Sequence, residues 1–217
     1  MKQLFLFTIF LLVACKGYTQ ECNCPPGAGD DAQKLQTYHF SSGKDLGICG
    51  FSTVEGDDVS YTKFSLFLCG DSKPLETWGE GITCKVEQAK DALLVKEMYN
   101  LPVGQSFSTL WRPFYIHKFT IVNGKVAETE YYNKDLAKYN KDQIAQIIKQ
   151  YKDLPTTANE ETMKVANMLF WATVSGSKET ESLLTSIPAK FGPFDNVIAD
   201  EWKQINTVYQ RWKTKNK

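Results

Sequence analysis

Apolar and polar residues follow two different periods along this chain of 217 residues. Between residues 46 and 132 they alternate over short runs, which is typical of strands that bury one face. After residue 132 the apolar residues recur three and four positions apart, which is typical of amphipathic helices. The pattern predicts an α+β fold: a small, mainly antiparallel sheet of about five to seven strands, followed by a segment of three or four helices.

Turn-forming residues separate the strands, and one turn sets a register. The runs of strand-forming residues cover 46–54, 59–69, 82–87, 92–98, 114–122 and 125–132. The last two runs are joined by Asn123-Gly124, the pair that most readily adopts the positive φ angles of a type I′ turn. A two-residue turn fixes the pairing of its flanking strands, and here it places His117 opposite Glu130.

Capping patterns predict where the helices begin. Asn140 with Gln143, and Thr157 with Glu160, have the spacing of a capping box, in which each side chain binds the backbone of the other residue. Asp195 is a third candidate N-cap, because an apolar stripe of helical period follows it.

The chain divides into four regions. They are a leader at 1–15, a tether at 16–37, a sheet region at 38–154 with one helix at 140–153, and a helical segment at 157–217. The tether is assigned because it is rich in Cys, Pro, Gly and Asp and has no apolar period. The length fits one domain or two, and a boundary between two would fall near Pro155.

The first residues predict export. Lys2 and the apolar run at 4–14 are typical of a bacterial secretory leader, and the run is shorter than the roughly 20 apolar residues that span a bilayer. Leu12-Val13-Ala14-Cys15 resembles the lipobox of bacterial lipoproteins, and this resemblance implies cleavage before Cys15 and acylation of its thiol. The alternative is cleavage near residues 19 and 20, without lipid.

Both cleavage sites leave the same cysteines to form bridges: Cys22, Cys24, Cys49, Cys69 and Cys84. An exported protein folds in an oxidising compartment, so we expect one or two disulfides and at least one remaining cysteine. Cys22 and Cys24 are too close along the chain to pair comfortably with each other. Each is therefore expected to pair with one of the other three, in a connectivity that the sequence leaves open.

The charge balance argues against a nucleic-acid partner. Lys plus Arg total 25 and Asp plus Glu total 25, so no net field favours a polyanion. Aromatic and basic residues occur together around Trp212, but their helical spacing indicates rings that pack inward and a solvated, basic helix end. The partner expected is a protein, with membrane contact only through lipid on Cys15.

Few residues could support catalysis. His39 and His117 are the only histidines, and no metalloprotease, serine-hydrolase or phosphate-loop motif occurs. His117 with Glu130 is the sharpest candidate, because a carboxylate across the ladder can orient an imidazole and raise its pKa. The more ordinary interpretation is a cross-strand ion pair contributing about 0.2–1 kcal/mol. No metal site and no cofactor are expected.

Aromatic residues near turns suggest a binding surface at Trp78, Trp111 and Arg112. Pro113 cannot donate a ladder hydrogen bond, so the strand there should be an edge or begin after it. The leading expectation is a non-catalytic exported envelope protein, a lipoprotein, that binds another macromolecule through its surface. The alternatives are a periplasmic or surface hydrolase using His117 and Glu130, and an immunity or inhibitor protein that neutralises a toxin or enzyme.

Overall fold

The computed structural model describes residues 21–26, 34–55, 58–79 and 81–216. The strands are β1 (Lys34–His39), β2 (Asp45–Glu55), β3 (Asp58–Leu68), β4 (Glu76–Trp78), β5 (Thr83–Ala89), β6 (Ala92–Leu101), β7 (Leu110–Val122) and β8 (Lys125–Tyr132). The helices are α1 (Lys141–Asp153), α2 (Glu160–Val174), α3 (Lys178–Phe191) and α4 (Asn196–Lys215). An antiparallel sheet followed by four helices confirms the predicted α+β fold.

The sheet has the order β1-β2-β3-β5-β6-β7-β8, with β4 paired to β3, and every pairing is antiparallel. The turn between β7 and β8 has positive φ at both Asn123 and Gly124, as a type I′ turn requires. His117 lies opposite Glu130 in the resulting ladder. The predicted register of this hairpin is therefore the observed one.

The sheet curls until turns from its two halves meet. The Lys44 Nζ donates to the Gly124 carbonyl at 2.9 Å, and the Ser41 amide donates to the Asp91 carboxylate at 2.9 Å. These contacts join the β1–β2 turn to the β7–β8 and β5–β6 turns. The inner face of the curl is an apolar core that includes Leu46, Ile48, Phe64, Leu66, Leu93, Val95 and Phe119.

Two disulfides attach the segment ahead of β1 to the sheet. Cys22 is bonded to Cys69 and Cys24 to Cys49, which is compatible with an exported protein. Cys84 is free and buried in the inner core. The predicted leader, both predicted cleavage sites and Cys15 lie outside the described residues.

The structure differs from the predicted tether at 16–37 in two places. Residues 34–37 belong to β1, and residues 21–26 carry the two bridged cysteines. The sequence pattern did not predict strand β1. Its apolar residues Leu35 and Tyr38 are three positions apart and so point to opposite faces, which gives no alternation of apolar and polar residues. Its first four residues pair with β2 in regular register, from Lys34 opposite Gly50 onward.

Pro113 lies inside a strand, three residues after its start. Strand β7 begins at Leu110, and a bulge between the pairs Met98–Pro113 and Glu97–Tyr115 leaves Phe114 as the extra residue. In the described residues, pairing between β7 and β8 starts only at Tyr115, so residues 110–113 pair with β6 alone. The predicted edge is thus local, and the strand as a whole is internal to the sheet.

The helix caps agree with the sequence at two of three positions. Asn140 and Gln143 form the capping box of α1, and the Asp195 side chain accepts from an amide in the first turn of α4. The predicted box of Thr157 with Glu160 is wrong, because α2 is capped by Asn159 with Thr162. Asparagine is the stronger N-cap, and with it Glu160 becomes the first helical residue.

A second core lies among the helices and at the adjoining ends of β6 and β7. Helix α2 is buried along most of its length between the other three helices. The core includes Leu101, Phe114, Met163, Leu169, Trp171, Leu184, Ile187 and Tyr209. In the ranges that the structure describes, no helix has the length and apolar content needed to cross a membrane.

Candidate functional site

A carboxylate sits in the inner core where the sheet meets α4. The inner face of β6 carries Leu93, Val95 and Glu97, since alternate residues of a strand share a face. The Glu97 side chain is only 2% exposed. A buried carboxylate needs partners that compensate its lost hydration.

Five hydrogen bonds satisfy the Glu97 carboxylate. The donors are Trp78 Nε1 at 3.3 Å, His117 Nε2 at 2.9 Å, the Tyr99 hydroxyl at 2.9 Å, and two nitrogens of Arg211 at 2.7 and 3.2 Å. The paired Arg211 contact is bidentate, the strongest geometry between these groups. We call Glu97, His117, Arg211, Glu128 and Glu130 the carboxylate cluster.

His117 does not bind the residue opposite it in the ladder. Its Nε2 contacts Glu97, and its Nδ1 contacts Glu128 at 2.7 Å. Burial acts to lower the pKa of His117, but the two carboxylate hydrogen bonds outweigh it, and the pKa is raised. The imidazole is 5% exposed and both nitrogens are engaged, so it lacks the access to substrate that a general base needs.

Glu130 instead binds cations from α4. It accepts from Arg211 Nε at 2.9 Å and from Lys215 Nζ at 3.1 Å. The Arg211 guanidinium also lies over the ring of Tyr115, 4.0 Å from its centroid. The predicted ion pair of His117 with Glu130 is therefore replaced by one that joins the sheet to the last helix.

The basic end of α4 is partly exposed, with Lys213 and Lys215 side chains 38% and 48% exposed, and its cations also pair with carboxylates, which the sequence pattern did not predict. Lys213 Nζ contacts Glu181 at 2.8 Å on α3, and Arg211 and Lys215 contact the sheet. The sequence could not reveal this, because Arg211 is 114 residues away from Glu97 along the chain. The one hint in the sequence of this contact was that Arg211 lies on the same helix, α4, as the apolar stripe.

Cationic groups neighbour each carboxylate of the cluster. Glu97 contacts Arg211 and His117, Glu128 contacts His117, and Glu130 contacts Arg211 and Lys215. Burial acts to raise the pKa of Glu97, but hydrogen bonds from His117 and Arg211 prevail and hold it at about 2. Through these contacts the cluster holds α4 against the sheet.

Beside the cluster lies an open cleft of about 1240 Å³. One wall is formed by the end of β6 and the residues that lead into β7, and the other by α2 and α4. Tyr99 connects the two features, because its ring lines the cleft while its hydroxyl binds Glu97. Helix α4 belongs to both as well, because it carries Arg211 and contributes residues to the lining of the cleft.

The lining of the cleft contains both apolar and polar residues. We call its partly exposed apolar residues Met98, Ile205 and Val208 the floor; Met163 and Met168 also contribute to the lining but are only 3% and 1% exposed. Trp111 is 59% exposed and stands in the wall formed by β7. An amide of Asn167 on α2 reaches the Asn100 carbonyl on β6, at 3.5 Å. A soft apolar floor with a hydrogen-bonding rim is the usual make-up of a binding groove.

One wall of the cleft has an unusual backbone. Ser106 and Phe107 both have positive φ, 52° and 62°, which is costly for residues with a Cβ and most of all for a bulky one. Phe107 is held edge-on against Tyr139, with ring centroids 5.4 Å apart. A hydrogen bond from the Gly104 amide to the Ser108 carbonyl closes the turn at 2.9 Å. The fold therefore fixes the shape of this wall.

The three predicted binding residues differ in their exposure and in their position relative to the cleft. Trp78 is buried, stacked on Phe64 with centroids 4.6 Å apart, and is not part of any surface. Trp111 and Arg112 are both exposed at the strand segment before the bulge, and Trp111 lines the cleft. The sequence analysis did not predict the apolar lining, because Met98 on β6 is far along the chain from Ile205 and Val208 on α4.

Neither a metal-binding arrangement of the described residues nor a similarity to known proteins indicates a function for the site. Across the described ranges, no group of three or more His, Cys, Asp or Glu side chains is arranged to hold a metal ion. Comparison of the chain with protein-family models, with curated proteins and with solved structures yields no match.

Proposed function

We propose that the protein is a non-catalytic, exported envelope protein that binds a segment of another protein in the cleft. The observation that carries the proposal is the cleft itself, in which partly exposed apolar residues, the exposed Trp111 and polar residues line one open volume. Apolar anchors in a groove with a polar rim are how proteins commonly hold peptide segments.

The size of the cleft favours a polymer segment. Pockets for small molecules measure about 300–1,000 Å³ and enclose most of the ligand. The cleft is larger, at about 1240 Å³, and it is open to solvent along one side. Methionine side chains adapt to apolar groups of differing shape, which suits a segment of protein chain.

The alternative of a hydrolase has less support. It rests on His117 and Glu130, and both are occupied by partners inside the carboxylate cluster. An immunity or inhibitor protein is a narrower form of the present proposal, in which the bound segment belongs to a toxin or an enzyme.

Export and lipid attachment are part of the proposal. They are supported by the leader pattern, by Leu12-Val13-Ala14-Cys15 and by the two disulfides. We expect Cys15→Ser to move the protein from the membrane fraction of a bacterial host into the soluble envelope fraction. Unchanged fractionation, with a mature start near residue 20, would remove the lipid from the proposal.

Binding is tested with a displayed library of random twelve-residue peptides selected on the purified mature protein. We expect enriched peptides whose affinity falls at least about tenfold in Trp111→Ala, because truncating an aromatic anchor costs about 2 kcal/mol. Phe51→Ala is the matched control, since Phe51 is an exposed aromatic on β2, away from the cleft. Its affinity should stay within about twofold of the wild type.

The same selection can contradict the proposal. If no peptide is enriched, or if the enriched peptides bind Trp111→Ala as tightly as the wild type, then the cleft does not bind protein segments.

A further inference from the structure

We infer that the cleft selects cationic segments, in which lysine or arginine residues flank apolar ones. The inference rests on the proposed function and adds to it the charge of the occupant. It follows from three features of the cleft: its unpaired acidic residues, the exposed face of Trp111 and the apolar floor.

The acidic residues come from both helices of the cleft. Glu160 is the first residue of α2, and Asp200 and Glu201 lie in α4. Within the described part of the chain, none of these three carboxylates takes part in an ion pair. Elsewhere on the helices, acidic residues do find partners, as Glu181 does with Lys213 at 2.8 Å.

The local charge therefore differs from that of the whole chain. Lys164 and Lys203 are the lysines that line the cleft, and Lys164 is paired with Glu161 at 3.5 Å. The lining thus has three carboxylates and two lysines, a net negative charge, whereas the complete chain has 25 cationic and 25 acidic residues. Charges grouped around a partly enclosed groove act together on a ligand of opposite sign.

Trp111 adds a second preference for cations. Trp111 is 59% exposed and lines the same cleft as the acidic residues, so its ring is accessible to a ligand there. Lysine and arginine stack favourably on an indole face, while an acidic group gains nothing there. The partly exposed Met98, Ile205 and Val208 in the same lining can contact apolar side chains. The fitting occupant is thus amphipathic and basic.

The test is a comparison of selections on two proteins. The peptide library is selected on the wild type and on the triple variant Glu160→Gln, Asp200→Asn, Glu201→Gln, and the recovered peptides are sequenced. We expect lysine and arginine to be over-represented relative to the input only on the wild type. The matched control is Asp142→Asn, Asp153→Asn, Glu179→Gln, which removes the same charge from exposed positions of α1 and α3 outside the cleft.

Affinity measurements show how much the basic residues of a peptide contribute to binding. One enriched peptide is resynthesised with its basic residues kept, changed to serine or changed to glutamate. At low salt the basic form should bind the wild type about tenfold more tightly than the serine form, as expected for a few partly exposed charge pairs. The advantage should shrink as salt approaches 0.5 M, should disappear in the cleft variant and should persist in the control variant.

The outcomes separate this inference from the function on which it rests. Peptides that depend on Trp111 but carry no excess of basic residues would overturn the charge preference and leave the binding function intact. The same holds if the glutamate form binds as well as the basic form. Loss of all dependence on Trp111 would overturn both, and a neutral glycan that binds in a Trp111-dependent way would show that the occupant is not a protein.

Discussion

At the scale of single residues, the Glu97 side chain is held by an unusually complete set of partners. It is ionised and 2% exposed, and it accepts five hydrogen bonds from four different residues. Replacement of a whole buried ion pair can be nearly neutral, but removal of one member leaves charge without compensation. The identity of Glu97 is therefore set by its partners.

The first prediction follows from this. Glu97→Gln should lower the free energy of unfolding by about 3–5 kcal/mol, because Arg211 and the His117 imidazolium lose their shared counter-charge. Glu87→Gln is the control: Glu87 pairs with Lys96 on the same sheet, but its side chain is 57% exposed, and the loss should be below about 1 kcal/mol. Urea denaturation measures both, and equal losses would contradict the role given to the cluster.

The second prediction concerns pH. The pKa of Glu97 falls from 4.5 to about 2 on folding, so its stabilisation is present above 4.5 and is lost as the pH falls towards 2. The pKa of His117 is raised above 6.5, so its stabilisation is complete below 6.5 and is lost as the pH rises through the folded-state value. Stability should peak between about 4.5 and 6.5.

Urea denaturation between pH 3 and pH 9 checks this profile. The decline on the alkaline side should be absent in His117→Gln, because glutamine has no proton to lose there. A wild-type curve that is flat from pH 6 to pH 9 would contradict the assignment of a charged His117.

In the β7–β8 hairpin, the sequence predicted the pairing of the strands but not the hydrogen-bond partners of the side chains. The Asn123-Gly124 turn was enough to place His117 opposite Glu130, since a two-residue hairpin admits one register. It could not give the side-chain partners, because a long side chain in a sheet reaches diagonal neighbours as well as direct ones. Here His117 Nδ1 contacts the diagonal neighbour Glu128, and Arg211 of α4 donates a hydrogen bond to Glu130.

At the scale of elements, the ends of the helices and strands were the least predictable. The box assigned to Thr157 and Glu160 satisfies the spacing rule, but Asn159 with Thr162 satisfies it too and is the one formed. The two strands that were missed have simple causes: β4 has three residues, and β1 has no alternation of apolar residues. A spacing rule can identify several possible N-cap residues that compete, and the residue that forms the best hydrogen bonds with the first turn becomes the cap.

The third prediction uses that competition. Asn159→Ala should lower the free energy of unfolding by about 1 kcal/mol, because the first turn of α2 loses its capping acceptor. Thr157→Ala should change it by less than about 0.5 kcal/mol, since Thr157 is exposed and outside the helix. Thermal melting of both variants decides which residue is the cap, and the reverse order of effects would support the box at Thr157.

At the scale of the whole molecule, the cleft is a product of assembly. The end of β6, the turn before β7, α2 and α4 each contribute a part, and none of them alone has a recognisable motif. Composition and period were sufficient for the α+β class, because each depends on local sequence. The cleft and the cluster depend on contacts between distant segments, which neither spacing nor composition records.

The fourth prediction tests the covalent framework. In denaturant without reductant, the mature protein should show one reactive thiol, that of Cys84, and in the native state it should show none, because Cys84 is buried. After reduction the described cysteines Cys22, Cys24, Cys49 and Cys69 should react as well. A thiol-reactive dye with mass spectrometry gives the count, and more than one thiol before reduction would contradict the two bridges.

The bridges also determine how the protein bears mechanical load. An outer strand such as β1 would ordinarily be the first part of a sheet to peel away under a pull from its own side. Here a force applied ahead of Cys22 passes through sulfur bonds to Cys69 and Cys49, and so into β3 and β2. Strand β1 lies beyond both attachment points and is therefore shielded from tension applied at that end.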